Sequence, residues 1–164
     1  MTKILLLSDT HGYMDASILK YVGEADEVWH AGDIGDLKVT DAIKAVKPLR
    51  GVYGNIDDHT LQKEFPEHNR FFCEGVDVWI THIGGYPNKY NVRVRDEIKK
   101  NPPKLFICGH SHILKVMRDN KLDVLHMNPG ACGKHGFHHV RTMLRFVIDK
   151  EEIKDLEVIE LGKR

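Results

Sequence analysis

Seven side chains of this 164-residue sequence share two properties: each can offer a lone pair to a metal ion, and each directly follows an apolar run. Asp9 and His11 follow KILLLS, Asp33 follows EVWHAG, and Asn55 follows LRGVYG. His82 follows VDVWIT, and His110 and His112 follow LFICG. In α/β sheets the carboxyl ends of strands frame the crevice where ligands bind. Residues two apart on an extended segment face the same way, so Asp9-x-His11 and His110-x-His112 each send two donors in one direction. Taken singly, a D-x-H, a G-D or a G-N is uninformative, because Asp, Asn and Gly are the ordinary residues of turns. Two histidines after a buried strand have little turn-forming reason to be there. Five strand exits carrying seven oxygen or nitrogen donors, with no thiolate, do not arise from turn formation alone.

Seven donors exceed the four of a tetrahedral zinc site. They suit two ions, provided one carboxylate bridges them; a pair ~3.5–4 Å apart holds a hydroxide and clamps a phosphate during in-line attack. Carboxylate, amide and imidazole donors without sulfur favour manganese, iron, zinc or cobalt over calcium or copper(I).

The elements that must carry these donors can be read from hydrophobic period. Residues 3–8 are of strand length, and 15–23 place Ile18, Leu19 and Val22 at helical spacing between an N-cap at Asp15 and a stop at Gly23. Residues 27–30 form a second strand, 38–47 a helix ended by Pro48, and 49–53 a third strand. Residues 70–74 and 76–81 form a hairpin about Gly75, 92–100 a helix stopped by Pro102-Pro103, and 105–108 an apolar strand. Residues 114–118 and 122–127 pair across Asn120-Lys121, and 141–148 pairs with 153–161. Strand–helix alternation followed by hairpins predicts an α/β sandwich with mixed sheets. No linker or repeat divides the chain, so residues 1–164 are expected to form a single domain.

Composition excludes several functions. Lys plus Arg and Asp plus Glu both number 24, so nothing general draws the chain to nucleic acid or an anionic membrane. Cys73, Cys108 and Cys132 are odd in number and far apart, which points to a reducing cytoplasm rather than a disulfide framework. Ile4–Leu7 is far too short for a signal-peptide core, and no stretch approaches the ~20 apolar residues of a membrane span. A cytoplasmic location is expected.

In their order, these motifs resemble those of the calcineurin-like metallophosphoesterases: Asp9-Thr10-His11, Gly32-Asp33, Gly54-Asn55-Ile56-Asp57, Thr81-His82 and Gly109-His110-Ser111-His112. The short length and the Asn128-Pro129-Gly130 exit are most similar to the small YfcE-type phosphodiesterase branch, whose compact fold the retromer subunit Vps29 shares. The resemblance runs from Ile4 to about Gly130. It implies two packed mixed β-sheets flanked by helices, a four-layer α/β/β/α sandwich. It also implies that Asp9, His11 and His112 hold one divalent ion, that Asn55, His82 and His110 hold a second, and that Asp33 bridges them. Manganese is the first expectation, with zinc, iron, cobalt or nickel as alternatives. The implied reaction is hydrolysis of a small-molecule phosphoester, a diester first of all, by a metal-bridging hydroxide. Asp33, Asn55 and His110 are then catalytic, Asn55 also meets the substrate, and Asp57 braces the ligands from behind.

One departure matters. Many members carry a histidine after the motif asparagine, which protonates the leaving alkoxide; here Ile56 stands there. General acid catalysis contributes ~10²–10⁴ in rate, so phosphodiesters with good leaving groups are the expected substrates. The loop ACGKHGFHHVRTMLRF is a candidate replacement: His135, His138 or His139 for the proton and for substrate binding, Lys134 and Arg141 for phosphate oxygens. A solvated loop explains the same residues. His30 reads as a packed histidine, His59 and His68 as solvated loop residues, Cys132 as a poor nucleophile, and Tyr86, Asn88, Lys89 and Tyr90 as candidates for the entrance. Two other readings compete: a non-catalytic scaffold of the Vps29 type, and a phosphomonoesterase or nucleotide pyrophosphatase. Apolar surface in the C-terminal hairpin offers a route to a homo-oligomer.

Overall fold

The computed structural model describes residues 1–164. Along the chain run β1 (Thr2–Leu7), α1 (Ala16–Glu24), β2 (Glu27–His30), α2 (Leu37–Lys44), β3 (Leu49–Gly51) and α3 (His59–Glu64). Then come β4 (His68–Cys73), β5 (Val76–Thr81), β6 (Gly85–Tyr86), β7 (Lys89–Tyr90) and α4 (Val92–Lys100). The chain closes with β8 (Leu105–Ile107), β9 (Leu114–Asp119), β10 (Val124–Pro129), β11 (Val140–Asp149) and β12 (Glu152–Lys163).

Two five-stranded sheets result, ordered β12-β11-β1-β2-β3 and β4-β5-β8-β10-β9. Both are mixed, as expected. In the first, β1, β2 and β3 are parallel and β11 runs antiparallel to β1. In the second, β5, β8 and β10 are parallel between the antiparallel edges β4 and β9.

The period-2 alternation of β1 explains the layering. Ile4 and Leu6 join Val78, Ile80, Leu105, Ile107 and Met127 in the core between the sheets. Leu5 and Leu7 face the other way, onto Ile18 and Val22 of α1, Val39 and Ile43 of α2 and Leu61 of α3. On the far side, Val94 and Ile98 of α4 cover Trp79 and Phe106. Burying β1 on both faces requires helices outside it, which is the α/β/β/α order.

Each helix starts on a side-chain acceptor: Asp15, Asp36, Asp58 and Asn91 receive the amides of Ile18, Lys38, Leu61 and Arg93. Such caps contribute about 1 kcal/mol apiece. The sequence reading missed α3, a six-residue helix whose only strong signal is the Asp58 cap. His59 therefore opens a helix and His68 begins β4 rather than lying in loops, while both are exposed to solvent as expected. α1 passes through Gly23 to Glu24, and β3 stops at Gly51 because Tyr53 turns its amide to Pro66 instead. Leu156 and Val158 of β12 are partly exposed, as expected for the C-terminal hairpin.

Two histidines inside the fold are buried as neutral rings. His126 lies under Phe106 with Nδ1 3.2 Å from the Phe106 carbonyl, and His30 sits behind the β1 exit. Burial pushes both down to about 4. In the unfolded chain each titrates near ~6.5, so stability is full above that pH and is lost as pH falls toward 4, on the order of 3 kcal/mol from each. Urea unfolding at pH 7, 5 and 4 checks this. His126→Asn, which keeps an N–H for the Phe106 carbonyl but does not titrate, should lose visibly less stability on acidification than the native chain; an identical loss would refute the assignment.

Candidate metal centre

The donor-bearing turns leave the ends of strands in both sheets, and those after the neighbouring β1 and β2 are zipped to one another. Asp9 and His11 donate their amides to the carbonyls of Gly32 and Asp33 at 3.0 Å, and Gly12 donates to Ile34 at 2.8 Å. Gly109 donates to the His82 carbonyl at 3.0 Å, which joins the second sheet's exits in the same way. Within these turns the backbone is left-handed at Asp9 (φ 55°), His11 (45°), Asp33 (54°), His110 (71°) and His112 (60°). Five of the seven candidate donors thus hold a conformation that costs an L-residue about 1–2 kcal/mol. Such strain collects where a function requires it. Its effect here is to turn the side chains back over the strand ends into one crevice.

Neighbouring residues fix this geometry. Asp57 is buried, and its carboxylate accepts three amides, from Ile34 (3.1 Å), Gly35 (2.8 Å) and Gly54 (2.8 Å), tying the β3 exit to the β2 exit. Gly54 passes so close to Asp33 that a Cβ there would lie 2.1 Å from Asp33 Oδ1. His30 Nδ1 accepts the Gly32 amide, so its Nε2 donates to Thr10 Oγ at 3.0 Å, and Thr10 in turn donates to the Ile34 carbonyl. His30 is therefore a packed link, as the sequence suggested. Asn128 holds the β8 exit by donating to the Gly109 carbonyl at 2.9 Å. Ser8 donates to Asp9 Oδ2 at 2.7 Å; neither its tethering role nor those of Thr10 and Asn128 could be read from the sequence. Their only signal was polarity at the end of an apolar strand.

The donors gather into two groups. Asp9, His11 and His112 present ligand atoms all within 4.8 Å of one another, and so do Asp33, His82 and His110. Asn55 stands beside the second group, its Oδ1 accepting from His110 Nδ1 at 3.0 Å. Asp33 Oδ2 lies between the groups, 3.2 Å from His82 Nε2 and 3.5 Å from His11 Nε2. Asp9 Oδ1, His11 Nε2 and His82 Nε2 are buried and have no hydrogen-bond partner. His82 Nδ1 donates to the Ala31 carbonyl at 2.7 Å, which leaves the Nε2 lone pair facing the carboxylates. Burial opposes ionisation of Asp33, yet His82, His11 and the Ile56 amide together hold its carboxyl below the usual range. Burial likewise lowers His11 and His110, favouring the neutral, lone-pair form. Anionic carboxylates beside orphaned imidazole lone pairs, all out of water, fit divalent cations.

Around this centre, one open concavity is lined by His11, Asp33, Asn55, His110 and His112 and by Ile56, Ile113, His135, Phe137 and His138. The His135 ring centroid is 4.7 Å from that of His11. His138 lies 5.3 Å from His112, with Nε2 on the Gly133 carbonyl and a buried, unpartnered Nδ1. Arg141 is a correction: it is buried, donating to the Cys132 carbonyl and to Asp15, and is not free for a phosphate. Lys134 stacks over Tyr13 instead of lining the concavity, and His139 does not line it either. Tyr86 borders a smaller pocket beside His110, whereas Asn88, Lys89 and Tyr90 line a different one. Cys132 is buried and its thiol is pushed up to about 12, so it is inert.

The profile of the calcineurin-like phosphoesterase superfamily domain matches residues 2–151. A probable metallophosphoesterase of Methanocaldococcus jannaschii is 29% identical over 135 residues, covering 77% of this chain and 66% of that protein. Among solved structures, Vps29 of Chaetomium thermophilum superposes with a TM-score of 0.75 at 14% identity over 100% of both chains. An archaeal phosphodiesterase superposes with a TM-score of 0.71 at 22% identity over 97% of this chain and 99% of that one.

Asp57→Ala would leave three backbone amides without their acceptor. Urea unfolding should register a loss of roughly 2–4 kcal/mol, and calorimetric metal titration should show weakened uptake although Asp57 is no donor. Native-like stability and uptake would show that the brace is dispensable.

Proposed function

The chain belongs to the calcineurin-like phosphoesterase superfamily, and from that membership we propose that it is a phosphodiesterase working with two divalent metal ions, manganese first among them. The observation that carries the reading is the position of Asp33 Oδ2, which faces an imidazole of each donor group. Asp9, His11 and His112 would hold one ion, Asn55, His82 and His110 the other, and Asp33 both. When bound, the ions would activate a water as nucleophile and neutralise the phosphate's charge.

The remaining work falls to the chain itself. His82 is kept with Nδ1 protonated by the Ala31 carbonyl, so its Nε2 is always the ligating atom. Asn55 and His110, both at the exposed rim, are the donors best able to touch the substrate as well. Ile56 offers no proton to the departing oxygen. His135, exposed along the same concavity, is our substitute for that proton, with His138 holding the loop through its bond to Gly133. Both histidines are then substrate-side residues. A weak acid suits leaving groups that need little protonation, hence diesters with good leaving groups rather than alkyl monoesters. The archaeal phosphodiesterase that shares the fold supports this choice.

Turnover of bis-p-nitrophenyl phosphate by the manganese-loaded protein, abolished by chelator and lowered at least ~100-fold in Asp33→Asn, is the expected outcome. Tight metal binding with no turnover on any diester would instead favour the scaffold role suggested by the likeness to Vps29. A second measurement addresses the missing acid. Ile56→His should raise turnover of alkyl phosphoesters by ~10-fold or more while leaving p-nitrophenyl esters nearly unchanged. A uniform effect on both would show that protonation does not limit the rate.

A further inference from the structure

Three exposed apolar side chains surround the metal crevice, and each comes from a different strand exit. Ile56 (46% exposed) follows β3, Ile113 (62%) follows β8, and Phe137 (97%) lies in the loop after β10. All three line one concavity, about 510 Å³, together with Asp33, Asn55, His11, His110 and His112. That volume accommodates a small organic ligand. Exposed apolar residues scattered singly need no explanation, but a set converging on one polar cluster does.

The loop carrying Phe137 is pinned rather than slack. Gly136 (φ 131°) lies directly against His112, where a Cβ would come within 2.2 Å of Nδ1, so only glycine permits the approach. His138 is tied to the Gly133 carbonyl, and Arg164 donates to the Gly136 carbonyl. The phenyl ring is therefore held out into water beside the first donor group, with no protein surface covering it. No lysine or arginine lines the concavity, so a substituent bearing further phosphates finds no countercharge there.

Resting on the phosphodiesterase reading above, we propose that Ile56, Ile113 and Phe137 form an apolar ledge that selects substrates carrying a neutral, flat aromatic group on the phosphate. The phosphate's place at the metals orients such a group, and its ring lies against Phe137 and the two isoleucines. Ile56 thus has a positive role: it exchanges a proton donor for a surface that binds the substituent. The aromatic group is an aryl ring or a nucleobase, two sources with one recognition chemistry.

Binding separates this proposal from the catalytic reading. Calorimetry on the zinc-loaded protein compares phenylphosphonate with methylphosphonate, and adenosine monophosphate with ribose 5-phosphate. The aromatic member of at least one pair should bind about tenfold more tightly. The pair that shows the gain identifies the ring as aryl or nucleobase. Phe137→Ala, at a position whose side chain packs on nothing, should shrink that preference to within about twofold while leaving affinity for the non-aromatic partner unchanged. Equal affinities within both pairs, or a preference that survives Phe137→Ala combined with Ile113→Ala, would overturn the ledge. If no phosphonate or phosphate bound at all, the phosphoesterase reading itself would fall, a distinct result.

Discussion

Two carboxylates, Asp9 and Asp33, are buried at the meeting of the two sheets, and no lysine or arginine pairs with either. Moving an ionised carboxylate out of water costs several kcal/mol unless something positive compensates. What faces them is a ring of imidazoles, of which His11 Nε2 and His82 Nε2 have no hydrogen-bond partner, nor has Asp9 Oδ1. Burial keeps His11 and His110 toward the neutral form, which supplies lone pairs and not charge, whereas Asp33 and Asp9 overcome burial at His82 and draw it toward the charged form. The compensation that satisfies both carboxylates and lone pairs is a cation placed among them, and the architecture is organised around keeping that place.

The two sheets bring five exits to one edge of the molecule; the zipped turns and left-handed backbones then aim the donors inward. The strain at five donor positions persists because the surroundings over-determine it: Asp57 clamps three amides, Thr10 and His30 bridge two exits, and Asn128 anchors a third. These residues touch no ligand themselves, yet without them the donors would relax into ordinary turns. Farther out, an exposed phenyl ring and two isoleucines border the crevice.

Much of this was legible in the sequence because it depends on period and order. The burial of β1 on both faces shows as an unbroken apolar run, and the crevice shows as donors that follow such runs. α4 and β5 fall at the residues expected, since proline pairs and a hairpin glycine mark their ends. α3 was hidden because six residues give too short a period to register. The tertiary uses of Arg141 and His138 were hidden for a different reason: their partners, Asp15 and the Gly133 carbonyl, are chosen by packing that no local pattern records. Ser8 and Thr10 looked like strand ends and act as tethers. Ile56 read as a missing acid, and only its position beside Ile113 and Phe137 gives it a purpose of its own.

We propose that the five exits build one centre for two ions sharing Asp33. Crystals of the manganese-loaded protein, measured for anomalous scattering, address it directly. Two peaks ~3.5–4 Å apart, one among Asp9, His11 and His112, the other among Asn55, His82 and His110, with Asp33 touching both, are the predicted result. A single peak at full metal saturation, or two peaks that leave Asp33 unliganded, would contradict it.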